Sequence, residues 1–387
     1  MSIVINTNPS GKPSVHDNLW HVASSDNSGV IDMKYVFDVW INGEQKIRVK
    51  QFPEPGNGRA YFDAGPTVRN YMEYAWFEPI DTSVLVAQPD LSGQIALTYE
   101  LRVGEDVSGV TTSNLASAST VGYNWAPPMF ARRVTTVADK QNKWMTNRPL
   151  TASTKIGENM FAGFYLNDVS GYIGLNVERF AHDNSSQGTT STLVAITSTR
   201  PFLQFNIGTP AILSTTGLSI TDTTRYYDIW VNSNEKMRVY LSCNDKYTPY
   251  PVHFLNRWGL WDTIRFDLAS RLSMDIERKG FGKRDYEFNG NSVDYLSSAN
   301  RYYEGKINYS NKSMWSYKLN TDVLTDSEWE WLAELFTSPQ MLVEIGEYFY
   351  PATIKKTNYD YVKFINDKLK PLEVEFDFNS ERYTQLR

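Results

Sequence analysis

The sequence has little of what disulfide, metal or nucleophilic chemistry requires. Cys243 is the only cysteine, so the chain can form no internal disulfide and no multi-cysteine metal site. Its histidines never stand in a His-x-His or His-x-x-x-His arrangement, and neither a Gly-x-Ser-x-Gly motif nor a phosphate-cradling loop is present. We therefore expect no catalytic residues, no cofactor, no metal and no enzyme activity. Two carboxylates brought together by the fold could still hydrolyse a glycoside, but the sequence singles out no such pair.

Long apolar runs and an excess of basic residues are also missing. No stretch reaches the roughly 18–20 apolar residues that cross a membrane, and the N-terminus lacks the basic start and apolar stretch of a signal peptide. The net charge is −6 and the isoelectric point is near 5.4, whereas nucleic-acid binding depends on clustered Lys and Arg. The sequence thus predicts no membrane span and no nucleic-acid partner. A lone cysteine is typical of assembly in a reducing cytoplasm.

Aromatic residues are abundant, with 11 Trp, 24 Tyr and 19 Phe. Such residues favour strands and are common at protein interfaces, so we expect most to fill cores and the surplus to mark contact surfaces. Between Gln94 and Val103, apolar and polar residues alternate with the period of a half-buried strand. We predict a mainly β, multi-domain fold of β-sandwich or barrel-like architecture, with one or two short helices and an internal duplication.

Further strands are predicted by short apolar-rich segments that turn-forming residues separate. These segments are 35–41, 47–52, 192–196, 202–207, 226–231, 237–241, 341–345 and 372–378. The best helix is Asp326–Phe336, where Thr325 and Glu328 form a Thr-x-x-Glu capping box. A weaker helix is predicted at Thr67–Tyr74. The Ser- and Thr-rich segment Ser108–Ser119 is predicted to be a loop or linker.

Two windows of the chain resemble each other without a gap. Phe37–Val49 has the sequence FDVWINGEQKIRV, and Tyr227–Val239 has the sequence YDIWVNSNEKMRV. The two windows share Asp, Trp, Asn, Lys, Arg and Val at matching positions, and most of the other positions differ by conservative replacements. This similarity favours two similar β-domains that each contain this hairpin. The alternative is that two ordinary hairpins are similar by chance.

The residue pattern of each window predicts which side chains meet across the hairpin. A three-residue loop at Asn42-Gly43-Glu44 would place Val39 opposite Ile47 on one apolar face. Asn-Gly usually prefers a two-residue loop, but we expect the burial of one entirely apolar face of the hairpin to outweigh that preference. The predicted cross-strand pairs are then Asp38 with Arg48, Trp40 with Lys46, Asp228 with Arg238, and Trp230 with Lys236. We expect them to be exposed ion pairs and cation–π contacts, each contributing at most about 1 kcal/mol.

The densest basic segment is residues 278–284. It contains Arg278, Lys279, Lys283 and Arg284 together with two glycines. Such a segment is either a solvated hairpin tip with glycine hinges or a loop that reaches an acidic surface of a partner. We retain these four residues, with the eight hairpin residues, as candidate interface or structural positions.

The chain divides on these patterns into four predicted segments. Residues 1–125 form an N-terminal β-domain with a polar arm and the first hairpin. Residues 126–221 form a β-rich middle domain or insertion, residues 222–320 a second β-domain with the second hairpin, and residues 321–387 a C-terminal α+β segment.

Two stretches are similar to tail or connector structural proteins of tailed phages that infect Bacteroidota, crAss-like phages among them. The first is Tyr35–Met72. The second begins at Tyr250-Pro251-Val252-His253-Phe254 and continues through LFTSPQMLVEIGEYFYPATI to LEVEFDFNSERYTQLR. The resemblance covers about half of the chain, and the segment 126–221 takes no part in it. It implies a virion protein without cofactors that is assembled in the host cytoplasm, forms a symmetric ring with copies of itself and contacts other tail or connector proteins.

A second function fits the same composition. Exposed Trp and Tyr side chains on a β-sandwich can stack against sugars, which would make the chain a carbohydrate-binding or receptor-binding protein. The first candidates for such a platform are Trp258, Trp261, Trp315 and Tyr302-Tyr303.

Overall fold

The computed structural model describes most of the chain and divides it into two compact units. The described residues are 3–11, 13–72, 86–87, 96–124, 142–166, 171–196, 202–242, 246–282, 286–295, 306–346, 348–355, 371–378 and 382–386. The first unit comprises residues 1–244, 253–264 and 330–339, and the second comprises residues 245–252, 265–329 and 340–387.

Strands dominate both units, so the predicted mainly β, multi-domain fold is confirmed. The strands are β1 (Ile3–Thr7), β2 (Trp20–Ser25), β3 (Lys34–Ile41), β4 (Glu44–Gln51), β5 (Ala60–Asp63), β6 (Val86–Ala87), β7 (Ala96–Val107), β8 (Val110–Tyr123), β9 (Lys143–Trp144), β10 (Thr151–Thr154), β11 (Phe161–Tyr165), β12 (Gly171–Ala181), β13 (Ser186–Ile196), β14 (Phe202–Asn206), β15 (Thr224–Val231), β16 (Met237–Leu241), β17 (Tyr250–Leu255), β18 (Trp261–Phe266), β19 (Arg271–Gly282), β20 (Tyr286–Asn289), β21 (Ser292–Tyr295), β22 (Lys306–Val323), β23 (Met341–Ile345), β24 (Tyr348–Ile354), β25 (Pro371–Phe378) and β26 (Arg382–Leu386). The helices are α1 (Gly65–Arg69), α2 (Thr209–Thr216) and α3 (Asp326–Thr337).

The first sandwich of unit 1 is built around the first hairpin. Its main sheet has the antiparallel order β4-β3-β7-β8, and its second sheet has the order β1-β2-β5. Apolar side chains at alternate positions of β3 and β7 point inward and form one core with residues of the second sheet. The ring of Phe37 stacks on that of Phe62 with 5.0 Å between centroids, which joins the two layers.

The second sandwich of unit 1 contains the second hairpin. Its main sheet has the order β10-β16-β15-β12-β13, and its other sheet has the order β6-β14-β11-β9. Trp144 is buried against Phe164 and Phe205, with ring centroids 5.2 and 5.8 Å away. The predicted boundary between residues 221 and 222 is wrong, because β12 and β13 share a sheet with β15 and β16.

The two main sheets place four strands in the same spatial order. The order β4-β3-β7-β8 in the first corresponds to β16-β15-β12-β13 in the second. Phe37 has Val49 and Val103 as neighbours across the sheet, and Tyr227 likewise has Val239 and Arg179. The hairpins follow each other in opposite chain order, since β3–β4 precedes β7–β8 whereas β15–β16 follows β12–β13. The structural similarity of the two sheets therefore extends beyond the matching windows, with the two hairpins in exchanged order along the chain.

The N-terminal residues do not form the predicted arm. Strand β1 pairs with β2 inside the first sandwich, and Ile3 is buried there. His21 is fully buried in β2, where its Nε2 lies 2.9 Å from the hydroxyl of Tyr99. Burial lowers the pKa of His21 to about 4, so the imidazole is neutral at physiological pH.

The segment predicted as a Ser- and Thr-rich linker is a strand. Ser108 and Gly109, both with positive φ, make the turn between β7 and β8. Ala116–Tyr123 then pairs without interruption with Ala96–Val103. The prediction was wrong because Ser, Thr and Ala on an exposed sheet edge lack the apolar alternation that marks a half-buried strand.

Unit 2 is built on a long antiparallel sheet. Its strands follow the order β23-β24-β25-β22-β19, and β26 pairs with a further part of β22. Leu319, Val374 and Phe376 are buried on one face of this sheet, and the ring of Phe266 packs edge-on against Phe376 at 5.7 Å. The core of this unit therefore lies under β22 and β25.

The predicted helix and its capping box are confirmed in α3. The Glu328 carboxylate accepts a hydrogen bond from the backbone N–H of Thr325 at 2.8 Å, and the Thr325 hydroxyl accepts one from the N–H of Glu328 at 3.3 Å. The buried face consists of Trp331, Leu332 and Leu335, whereas Trp329 is half-buried. The weaker prediction at Thr67–Tyr74 corresponds to the short helix α1, and residues 73 and 74 lie outside the described residues.

Gly104 offers a test of the β7–β8 pairing. A Cβ atom at this position would lie 2.2 Å from the carbonyl oxygen of Thr112 and 2.7 Å from the Cα of Ser113. Because both neighbours are backbone atoms, we expect Gly104→Ala to cost about 1–3 kcal/mol of unfolding free energy and to speed hydrogen exchange in β7 and β8. Gly29→Ala is the matched control, since a Cβ added there would have no atom within 4 Å. Equal stability of the two variants would contradict the close pairing.

Candidate functional site

The predicted Asp–Arg pairs form in both hairpins, with an Arg guanidinium bound to each carboxylate at two points. Arg48 donates from Nε and Nη2 to the two oxygens of Asp38 at 2.6 and 2.7 Å. Arg238 does the same to Asp228 at 2.8 and 2.9 Å. In each copy this contact joins the central strand to the next strand of the hairpin.

The pairs are less exposed than the sequence predicts. The side chain of Asp38 is only 3% exposed whereas that of Arg48 is 39% exposed, and the second pair has the same asymmetry. The hydrogen bonds that the guanidinium groups donate to the carboxylates raise the pKa of Arg48 and of Arg238 above the ordinary arginine value. A buried carboxylate with one half-exposed cation is a structural contact, so neither aspartate is available to bind a partner.

The loop of the first hairpin differs from its prediction. Asn42 and Gly43, with φ of 53° and 79°, form a two-residue turn that pairs Ile41 with Glu44. A bulge then shifts the register, so that Val39 still lies opposite Ile47. Lys46 is the extra residue of this bulge on β4. The Asn-Gly turn preference and the burial of one apolar face are therefore both satisfied.

This bulge changes the predicted Trp–Lys contacts. Trp40 lies opposite Gln45, and the cation over its ring is Arg102 of β7 at 3.9 Å. Lys46 instead forms a 2.6 Å ion pair with Glu44, so the predicted Trp40–Lys46 contact is wrong. In the second hairpin the prediction is confirmed, since Lys236 lies 4.0 Å from the ring centroid of Trp230.

The predicted basic segment is only partly described. Arg278 and Lys279 are exposed residues within strand β19, so this part is neither a hairpin tip nor a loop. Lys279 forms a 3.7 Å ion pair with Glu277. Lys283 and Arg284 lie outside the described residues.

An exposed apolar face lies on the hairpin of β19 and β22. Residues directly opposite each other share a face, and the register pairs Leu272 with Tyr317 and Met274 with Trp315. On this face the side chains of Leu272, Met274, Ile276 and Trp315 are 36 to 47% exposed. We call these four residues the apolar face of unit 2.

The apolar face continues the core of unit 2 outward along its sheet. Tyr317, on the same side of β22, lies opposite Phe376 of β25, whose side chain is fully buried. The same surface is thus covered at β25 and open to solvent at β19. Contiguous apolar side chains of this size at a surface mark contact sites.

The other face of this hairpin is occupied by ion pairs within the chain. Lys355 bonds to Asp275 at 3.2 Å and to Glu375 at 3.0 Å, and Lys318 bonds to Glu373 at 2.6 Å. The two faces therefore differ sharply in chemistry. The polar face satisfies its own charges, and the apolar face is the one that gains free energy by burial.

This hairpin is absent from the sequence-based predictions although its signal is present. Leu272, Met274 and Ile276 alternate with Ser273 and Asp275 in the period of a two-sided strand. The alternation could identify the strand. It could not reveal that the apolar side chains remain exposed in the described part of the chain.

Two acids, the buried Asp262 and the half-buried Glu334, lie close together elsewhere in unit 1. Asp262 accepts hydrogen bonds from the hydroxyl of Thr146 at 2.6 Å and from the indole N–H of Trp331 at 2.9 Å. Glu334 accepts from the backbone N–H of Arg257 at 3.1 Å and from the side-chain amide of Asn147. Both carboxylates thus bind donors of the chain.

Burial shifts the pKa of both acids upward. Desolvation raises the pKa of Asp262. Desolvation, and then the nearby charge of Asp262, raise the pKa of Glu334 to about 7. The sequence gives no sign of this pair, because Asp262 and Glu334 are far apart in the chain and come together only through the fold.

Two of the candidate sugar-stacking residues are buried. Trp258 and Trp261 have almost no exposed surface, and Tyr302-Tyr303 lie outside the described residues. Of the five candidates, the described part of the chain leaves only Trp315 at the surface, within the apolar face of unit 2.

No protein-family model and no curated protein matches this chain. The described residues place no three His, Cys, Asp or Glu side chains where they could share a metal ion. In the same ranges, every helix is too short or too polar to cross a bilayer.

The unequal burial of the Asp38–Arg48 pair predicts unequal costs for its two partners. Arg48→Met removes both guanidinium hydrogen bonds from a buried carboxylate, and we expect it to cost about 3 kcal/mol of unfolding free energy. Asp38→Asn leaves a guanidinium that water can reach, and we expect it to cost about 1 kcal/mol. Urea unfolding and hydrogen exchange of β3 and β4 measure the two costs. The double variant, Asp38→Asn with Arg48→Met, gives the coupling free energy between the two side chains. Equal small effects would mean that the pair behaves as an exposed one.

Glu334 predicts a pH dependence of stability. Its pKa in the folded chain is about 7, above its ordinary value of 4.5, so between these values the folded state binds more protons than the unfolded state. Stability from this group is therefore present below pH 4.5 and is lost as the pH rises to 7, by an amount on the order of 3 kcal/mol. Thermal unfolding of Glu334→Gln relative to wild type measures it, with the exposed Glu330→Gln as control. We expect the Glu334→Gln variant to gain relative stability across this range, and a constant difference would contradict the shift.

Proposed function

We propose that this chain is a non-enzymatic structural protein of a phage virion. In this role it forms a homo-oligomeric ring or connector, or part of a tail hub or distal tail, and contacts other tail proteins. The resemblance of 35–72 and of the C-terminal region to tail and connector proteins of Bacteroidota phages supports this role. Assembly then takes place in the cytoplasm of the host bacterium, and the virion is the final location.

The apolar face of unit 2 is the observation that carries the proposal. Burying a Leu, Ile or Met side chain stabilises a complex by about 1.5–3 kcal/mol when the whole side chain leaves water. These side chains are roughly half exposed, so the four together offer on the order of 4 kcal/mol per copy before ordering costs. A ring that repeats the same contact at each subunit gains this contribution at every interface.

The surroundings of the apolar face match the anatomy of a protein interface. Arg278 and Lys279 are exposed on the same strand, and the ring of Phe281 lies 6.4 Å from that of Tyr309, with both rings half exposed. Interfaces combine an apolar centre with aromatic and Arg side chains and a polar rim. An acidic partner surface would complement Arg278, which lies on the same face of β19 as Ile276.

Paired substitutions on the two faces of β19 test the proposal. Ile276→Lys places a charge in the apolar face, and we expect it to abolish or strongly weaken assembly of the purified protein. Glu277→Lys introduces the same side chain at the adjacent exposed position on the other face, and we expect it to leave assembly unchanged. Mass photometry and electron microscopy measure particle size across a concentration series.

Two outcomes would overturn the proposal. One is a wild-type protein that stays at the 44.3 kDa monomer mass at every concentration. The other is a monomer that binds polysaccharide through Trp315, which would favour the carbohydrate-binding alternative.

A further inference from the structure

The two main sheets of unit 1 each end on a long strand without charge. Strand β8 has the sequence VTTSNLASASTVGY and strand β13 the sequence SQGTTSTLVAI. Among the described strands each is the last of its sheet, and the two occupy equivalent places in the two sandwiches. Neither contains Asp, Glu, Lys, Arg or Pro.

The opposite edges of the same sheets are protected. Strand β4, with the sequence EQKIRVKQ, carries a charge at every second residue, and β10 has only four residues. Charged side chains and short length are the devices that prevent an edge from pairing with another chain. Each main sheet therefore has one blocked edge and one edge that can accept a strand.

The outer edge of β8 already forms two backbone hydrogen bonds at its C-terminal end. The backbone N–H of Tyr123 donates to the carbonyl of Pro13, and its carbonyl accepts from the N–H of Val15, both at 2.9 Å. Backbone groups of alternate residues point to the same side of a strand, so those of Ser117, Ser119 and Val121 also point away from β7. In the described part of the chain no strand other than β7 pairs with these three residues.

The edge at β13 has apolar side chains beside it. Leu193 is 70% exposed and Tyr172, on the neighbouring strand β12, is 68% exposed. Leu193 lies opposite Gly174 and Tyr172 lies opposite Ala195, so both side chains point to the outer face of the sheet. A strand added at this edge would cover both, which adds apolar burial to its backbone hydrogen bonds.

We propose that β13 of one copy pairs with β8 of a second copy, so that the two sheets join edge to edge. In this assembly the β8 edge of each copy is occupied by β13 of one neighbouring copy, and its β13 edge by β8 of another. The part of the β8 edge that remains open, Ala116–Val121, is no longer than the uninterrupted part of β13, Thr189–Ile196, which can therefore pair along all of it. This inference rests on the proposed self-assembly and assigns it a contact separate from the apolar face of unit 2.

We infer that β13 pairs with β8, and not with another β13, because each copy carries both of these edges. If β13 paired with β13 in a dimer, both β8 edges would remain open, and the reverse holds for β8. Pairing of β13 with β8 uses both edges of each copy in one repeated contact. Such a head-to-tail contact produces a ring where the rotation closes.

A charge-swap series tests the pairing on the full chain. The first variant combines Ser117→Lys and Ser119→Lys on β8 with Ser191→Lys and Leu193→Lys on β13. The second keeps the two β8 lysines and carries Ser191→Glu and Leu193→Glu instead. All four positions are exposed, so the fold tolerates the substitutions. Circular dichroism and the melting temperature check folding, and mass photometry measures assembly.

We expect like charges at the joined edges to raise the concentration for half-assembly at least roughly tenfold in the all-lysine variant. The lysine–glutamate variant places opposite charges across the same contact, and we expect it to assemble as wild type does. Val110→Lys and Leu213→Lys are matched controls, because both side chains are exposed but lie outside the paired segments. Hydrogen exchange should slow in β8 and β13 as wild type assembles.

The outcomes separate this inference from the proposed function. Normal assembly of the all-lysine variant overturns the edge pairing while the proposed function stands. Failure of both charged variants, with both controls assembling, overturns pairing of unlike edges, because opposite charges should restore it. A wild-type chain that never assembles overturns the proposed function, and the edge pairing with it.

Discussion

The two-point contact between a buried aspartate and a half-exposed arginine is the constraint on which both sandwiches of unit 1 depend. Asp38 and Asp228 lie on strands β3 and β15, each with a paired strand on both sides. A carboxylate in such a place is stable only with its cation bound in good geometry. The contact also fixes register, since a slip of one residue would separate the pair and turn the apolar face to solvent.

The sequence contained this contact because it is local. Asp and Arg ten residues apart, on either side of a turn, can be paired by strand parity alone, and the Thr325–Glu328 cap is equally local. The mainly β fold followed from the same short-range periodicity. These two contacts, each set within about a dozen residues, could therefore be predicted.

Features that depend on distant strands could not be predicted. The cation on Trp40 comes from Arg102, a neighbour that only the sheet order supplies. Asp262 and Glu334 meet through the fold, and their raised pKa values follow from burial that no local pattern encodes. The domain boundary at 221–222 failed for the same reason, because the second hairpin takes its sheet partners from the segment before it.

The misread segment at 108–119 explains why an interface can resemble a linker in sequence. A strand that pairs with another copy needs free backbone groups and small, uncharged side chains, and these are also the properties of flexible linkers. The distinction comes from the neighbour, since β7 holds Ala116–Tyr123 extended and directs alternate backbone groups outward. The absence of charge on β8 therefore distinguishes an open sheet edge from a linker only when it is compared with the charged opposite edge at β4. Together with the exposed apolar face of unit 2, it marks the surfaces to which we assign the proposed contacts with other chains.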